Sequence, residues 1–74
     1  MSTLDRLQIA ELNQLEARVQ TRLLGIVHDL RLIAQERGVV LRGRSRTYYG
    51  KQLAQQAIMQ AAPMPLLANE IQVD

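Results

Sequence analysis

The sequence predicts an α+β fold of order α-β-β-α-β, a two-layer sandwich in which a three-stranded mixed sheet is covered on one face by two helices. Three observations predict it. Apolar residues recur at helical spacing in two stretches, one N-terminal and one over residues 47–61. Between them, and again after Pro65, the apolar period falls to two, as in a half-exposed strand. Gly25, Gly38 and Pro63-Met64-Pro65 stand where the period changes.

The first helix is expected over residues 3–24. Ser2 or Thr3 is placed to cap it, with Asp5 favourable in the first turn. Leu4, Leu12, Leu15, Val19 and Leu23 form one stripe, denser from Leu12 onward, while Gln8, Glu11, Gln14, Arg18 and Arg22 fall mostly elsewhere. Gly25 follows the last periodic residue, where a left-handed C-cap belongs.

A strand begins at Leu30, with Leu30, Leu32 and Ala34 alternating with Arg31, Ile33 and Gln35. Glu36-Arg37-Gly38 reads as a turn in which Gly38 supplies a positive φ. A second strand, 39–45, closes an antiparallel hairpin. Val39, Leu41 and Gly43 share one of its faces; Val40, Arg42, Arg44 and, if the strand runs on, Arg46 share the other.

Ser45 or Thr47 caps a second helix that runs to about Ala61. Its buried stripe is Leu53, Ala54, Ala57, Ile58 and Ala61, and Lys51, Gln52, Gln55, Gln56 and Gln60 face water. The alanines let this helix lie close against a sheet. Pro63 and Pro65 stop it, since proline lacks the helical donor and restricts the residue before it. The last strand, 66–73, alternates Leu67, Asn69, Ile71 and Val73 with Ala68, Glu70 and Gln72. The helix between the second and third strands permits a right-handed crossover and parallel pairing.

With 74 residues the chain makes one small domain whose core is aliphatic, because Tyr48 and Tyr49 are its only aromatic residues. A chain of this size buries only about 60–65% of its unfolded surface, so a partner or a weakly bound second copy would add to stability. There is no cysteine, which excludes disulfides and thiolate metal sites. No apolar run approaches the roughly 20 residues of a membrane-spanning helix. Asp5, Arg6 and Glu11 break any signal-peptide core, so a cytoplasmic location is expected unless the chain is processed or belongs to a larger envelope protein.

The net charge of +2 conceals an uneven distribution. From Arg37 to Asn69 there are five basic residues, Arg37, Arg42, Arg44, Arg46 and Lys51, and no acid. Arginines at 42, 44 and 46 would project three guanidinium groups from one strand face, each able to grip phosphate oxygens. The plainer reading is a solvated strand face that keeps the chain soluble and deters edge pairing. Tyr49 is expected to pack at the top of the second helix and Tyr48 to point outward, where its ring suits a membrane interface. Stacking of nucleobases on this pair is the weaker reading, as no Gly-x-x-Gly loop or aromatic RNA-binding strand accompanies it. His28-Asp29 does not read as a catalytic pair: there is one histidine, no cysteine and no nucleophile near it in sequence. A lone histidine is equally poor as a metal site, and no cofactor motif is present. The glutamines of the second helix read as a solvated surface.

Leu41-Arg42-Gly43 at the end of the hairpin, the alanine-rich helix with Ala54, Ala57 and Ala61, and the terminal Asn69-Glu70-Ile71-Gln72-Val73 together resemble the BON domain. This is a bacterial module of osmotic-shock proteins, some haemolysin-like proteins and secretins. The resemblance implies a single BON-like domain over 1–74, with a core at about 12–73 and residues 1–11 as a helical extension. Pro63-Met64-Pro65 replaces the family's Gly-Val pair, and Glu36-Arg37-Gly38 replaces its Asp-Gly turn. Members are thought to bind phospholipid surfaces or to mediate protein contacts in the cell envelope, without catalytic residues. The expectation is therefore a non-enzymatic interaction module for anionic surfaces that uses Arg42, Arg44, Arg46, Lys51 and Tyr48. The alternative is a protein–protein or self-association module using the open sheet face or an edge strand, and nucleic-acid binding stands third.

Overall fold

A computed structural model of the chain describes the backbone from Thr3 to Asp74 and the side chains from Ile9 onward. The order is α1 (Thr3–Arg22), β1 (Val27–Gln35), β2 (Gly38–Ser45), α2 (Tyr48–Ala61) and β3 (Leu66–Val73). The expected cap at Ser2 or Thr3, and the side chains of Leu4, Asp5 and Gln8, lie outside the described residues.

In α1 the stripe Leu12, Leu15, Val19 and Leu23 is buried, as its spacing requires. The helix closes two residues earlier than expected, and Gly25 then takes φ +84°. That left-handed step lets the Ile26 and Val27 amides donate to the Leu23 carbonyl at 2.8 and 3.0 Å and turns the chain into β1.

The strand order is β1-β2-β3, with β1–β2 antiparallel and β2–β3 parallel. β1 starts at Val27, three residues before the expected Leu30. The added length contains a bulge: His28 pairs with Arg44 and Arg31 with Arg42, so Asp29 and Leu30 together oppose Gly43. Asp29 has φ +54°, a conformation aspartate tolerates better than most residues. The extra residue is why Val27 and Leu30, three apart, are both buried. Gly43 makes the bulge possible. A Cβ there would lie 3.1 Å from the His28 carbonyl oxygen and 3.1 Å from Val27 Cγ1. Gly38 is not the turn residue expected of it. It opens β2 opposite Gln35, its φ is not positive, and the turn is Glu36-Arg37.

α2 is capped by Thr47, whose Oγ1 accepts from the Gly50 amide at 3.0 Å. Ser45 supports the cap. Its hydroxyl donates to the Thr47 carbonyl at 2.8 Å and accepts from the Thr47 amide at 3.3 Å. The helix buries Gly50, Ala54, Ala57 and Ile58. Leu53 is half-buried and Ala61 exposed, so the buried stripe starts one turn earlier than expected. In β3 a second bulge, between the pairs Val39–Leu66 and Val40–Ala68, leaves Leu67 exposed while Asn69 and Ile71 face the helices.

Both helices and all three strands contribute to one core, centred on Leu41, Val39, Ile58 and Ile71. The sheet's two edges are blunted by side chains. At β1, Glu16 Oε2 accepts from the Leu32 amide at 2.9 Å and Gln20 donates to the Leu30 carbonyl at 2.7 Å. At β3, Asn69 Oδ1 accepts from the Ile71 amide at 3.1 Å, while its amide donates to the Lys51 carbonyl at 3.0 Å and Gln55 Oε1 at 3.2 Å. These bonds occupy backbone groups that would otherwise recruit a further strand. Every buried side-chain nitrogen and oxygen among the described residues is satisfied.

Gly50 tests the seat of α2. A Cβ at this position would overlap Ser45 Oγ. Alanine gains at most about 1 kcal/mol of helix propensity, whereas overpacking costs about 1–3 kcal/mol. Gly50→Ala is therefore expected to lower the urea midpoint. In a Ser45→Ala background the same change is expected to cost less, since Ile26 Cγ2 at 3.0 Å is then the tightest neighbour, and unfolding all four members of the cycle checks the coupling.

Candidate functional site

Because both helices lie on one side, the other side of the sheet is open to solvent. Strand register lays three rows across it: Ile33–Val40–Ala68, Arg31–Arg42–Glu70 and His28–Arg44–Gln72. The first row is apolar, with Ile33 37% exposed and the bulged Leu67 48% exposed beside it. The other two carry the charge.

Arg42 and Arg44 are exposed on this face, as the alternation in β2 requires. Arg46 does not continue their row. β2 ends at Ser45, and Arg46 lies in the bend before α2. The third guanidinium beside Arg42 is instead Arg31, its cross-strand partner in β1. The strand period had already placed Arg31 with Ile33 on the face opposite Leu30 and Leu32; that this face is shared with Arg42 follows only from the pairing register. β2 is also the central strand, so its arginines guard no edge.

Tyr48 and Tyr49 open α2 and are 64% and 69% exposed. Tyr49 therefore does not pack at the top of the helix. Gly50 occupies the buried position there, and the tight approach of Ser45 leaves no room for a ring. Lys51 is half-buried in α2, within the helix layer. The five expected anion-binding residues thus divide into Arg42 and Arg44 on the open face, Arg46 and Tyr48 where β2 passes into α2, and Lys51 in the helix layer.

The stretch that is free of acids in sequence is not free of them in space. Arg42 Nε donates to Glu70 Oε1 at 2.9 Å, a direct cross-strand pair. Arg44 Nη2 lies 3.6 Å from Asp74 Oδ2, and Arg31 Nη1 lies 3.8 Å from Glu16 Oε1. The guanidinium side chains remain 60–67% exposed. Ion pairs this open contribute about 0–1 kcal/mol each, so the half-exposed Glu70 and Asp74 are exchangeable for an external anion, whereas Glu16 is held at the β1 edge by the Leu32 amide.

Three clefts adjoin the sheet, one of them, of about 300 Å³, around the β1 bulge among Gln20, Leu24, His28 and Asp29. At the hairpin end, a cavity of about 430 Å³ lies among Ile9, Leu12, Val39 and Met64, with Glu36 and Arg37 also in its lining. At the opposite end, a smaller cleft of about 210 Å³ is lined by His28, Arg44, Ser45, Arg46 and Asp74. Among the described residues no three His, Asp or Glu side chains gather as metal ligands, and no helix is long and apolar enough to cross a membrane. Comparison with protein-family models, with curated proteins and with solved structures finds no match for this chain.

Glu70→Gln removes the partner of Arg42. It is expected to change unfolding stability by less than about 1 kcal/mol. On a cation-exchange column it should raise the eluting salt more than Glu11→Gln, which makes the same charge change at an exposed site on α1. Equal shifts for the two variants would show that Arg42 is no more available without Glu70 than with it.

Proposed function

We propose that this chain is a non-enzymatic interaction module whose open sheet face attaches to anionic surfaces, by its resemblance to BON domains a phospholipid surface. The observation that carries this reading is the uncovered face itself, on which Arg31, Arg42 and Arg44 stand together, Arg42 and Arg44 with exposed, exchangeable carboxylate partners and Arg31 beside the part-buried Glu16. Arg46 and the exposed Tyr48 adjoin it where β2 passes into α2, supplying a further cation and an interfacial ring. Lys51 adds positive potential from the helix layer rather than a contact on the face.

Each basic residue near an anionic membrane contributes about 1 kcal/mol. Three to five of them, offset by Glu70, Asp74 and Glu16, give weak and salt-sensitive attachment. Co-sedimentation with anionic vesicles is expected at low salt and to fall at physiological salt. The Arg42→Glu plus Arg44→Glu variant should lose it while keeping its circular dichroism spectrum. Failure to sediment at either salt, or sedimentation unchanged in the variant, would overturn the proposal.

A second reading has its own observation, the apolar row Ile33–Val40–Ala68 with Leu67 beside it. Such a strip next to compensated charges suits a protein partner or a second copy of the chain. Light scattering over a concentration series tests the second copy: a mass that rises with concentration in the native chain and stays monomeric in Ile33→Lys supports it, and a constant monomer mass excludes it.

A further inference from the structure

We infer that the cleft formed by His28, Arg44 and Arg46 is a binding site for a single phosphoryl group. It lies where β2 and β3, parallel neighbours joined through α2, both end, so it opens at the carboxyl ends of a β-α-β unit. Three donor side chains line it, Arg44 and Arg46 from one short stretch and His28 from sixteen positions before Arg44. His28 reaches it because the β1 bulge sets it opposite Arg44 in register. Arg46 reaches it because β2 stops at Ser45 and the chain bends.

The chain marks the anion position itself. Asp74 lines the same cleft and holds its carboxylate 3.6 Å from Arg44 Nη2, while its backbone amide is fixed to the Ser45 carbonyl at 2.9 Å. An incoming anion would take the place of that carboxylate on Arg44. Two guanidinium groups and an imidazole supply the several charge-assisted donors that the three terminal oxygens of a phosphomonoester accept. Size points the same way. A volume of about 210 Å³ falls below the roughly 300–1,000 Å³ of sites that enclose whole drug-sized ligands. Such a cleft has room for a phosphoryl group while the rest of a larger molecule stays outside. This site shares Arg44 with the proposed attachment face but excludes Arg31 and Arg42, so the two claims fail separately.

The test is an amide and imidazole NMR titration of the full chain with inorganic phosphate, repeated with glycerol 3-phosphate as a soluble monoester. Shifts confined to residues 28, 44–46 and 74 are expected. Binding should weaken strongly in His28→Ala and in Arg46→Gln, and by no more than about threefold in Arg42→Gln, whose charge lies one strand repeat, about 7 Å, from Arg44. It should tighten by about fivefold in Asp74→Asn, since removing one like charge about 4 Å away is worth about 1 kcal/mol in water. A parallel arm uses phosphatidylcholine vesicles doped with phosphatidate or, at equal charge, with phosphatidylglycerol. Preference for phosphatidate that is lost in Arg46→Gln assigns the phosphoryl group to a lipid, whereas phosphate binding with no such preference assigns it to a soluble monoester. Shifts spread evenly over Arg31, Arg42 and Arg44, no shift at all, or binding indifferent to Asp74→Asn would overturn the cleft. The first of these outcomes would leave surface attachment standing. Conversely, loss of vesicle binding in Arg42→Gln with phosphate binding intact would support both claims.

Discussion

The structure depends on β2 having a hydrogen-bonded neighbour on each side, one antiparallel and one parallel. A tight turn suffices for the first neighbour. Parallel pairing with β3 requires the chain to cross over the sheet, and α2 is that crossover. Once α2 lies on one side, burying Val39, Leu41 and Ile71 beneath it, the other side must carry what the core rejects. Arg42 and Arg44 are exposed for the same reason that Leu41 is buried: side chains of one strand alternate between its faces.

A three-stranded sheet leaves two edges, and a chain this short has no further strands to cover them. Each edge is met by a polar side chain instead. Glu16 and Gln20 reach from α1 to the Leu32 amide and the Leu30 carbonyl, and Asn69 turns back on the Ile71 amide while holding α2 through Lys51 and Gln55. Polar groups in these places do what extra strands would do, at the cost of positioning α1 and α2 with little freedom. Glu16 also serves Arg31, which ties the edge of β1 to the charged face of the sheet.

That face is balanced rather than simply basic. β3 returns Glu70 beside Arg42, and the residue after β3 returns Asp74 beside Arg44. Exposed pairs of this kind add little to stability. Their effect is on recognition, since an anion must compete with a carboxylate already present. The face therefore suits weak, reversible, salt-sensitive contacts, and its selectivity depends on how easily each carboxylate is displaced.

Periodicity and punctuation in the sequence were sufficient for the order of elements, the stop of α2 at its prolines, the extent of β3, the left-handed Gly25 and the exposure of Arg42 and Arg44. All of these are local consequences of residue type and spacing. The tertiary structure alone decided the rest. The β1 bulge rests on Asp29 adopting a positive φ opposite Gly43, and a polar His28-Asp29 pair hides the strand by interrupting its alternation. The choice of Thr47 over Ser45 as cap, and the exclusion of Tyr49 from the core, follow from the space between Ser45 and Gly50. The company of the arginines was the least legible feature. Arg31, Glu70 and Asp74 lie 11, 28 and 30 positions from their neighbours Arg42 and Arg44. A run of residues free of acids describes only what is near along the chain, and charge acts through distance in space.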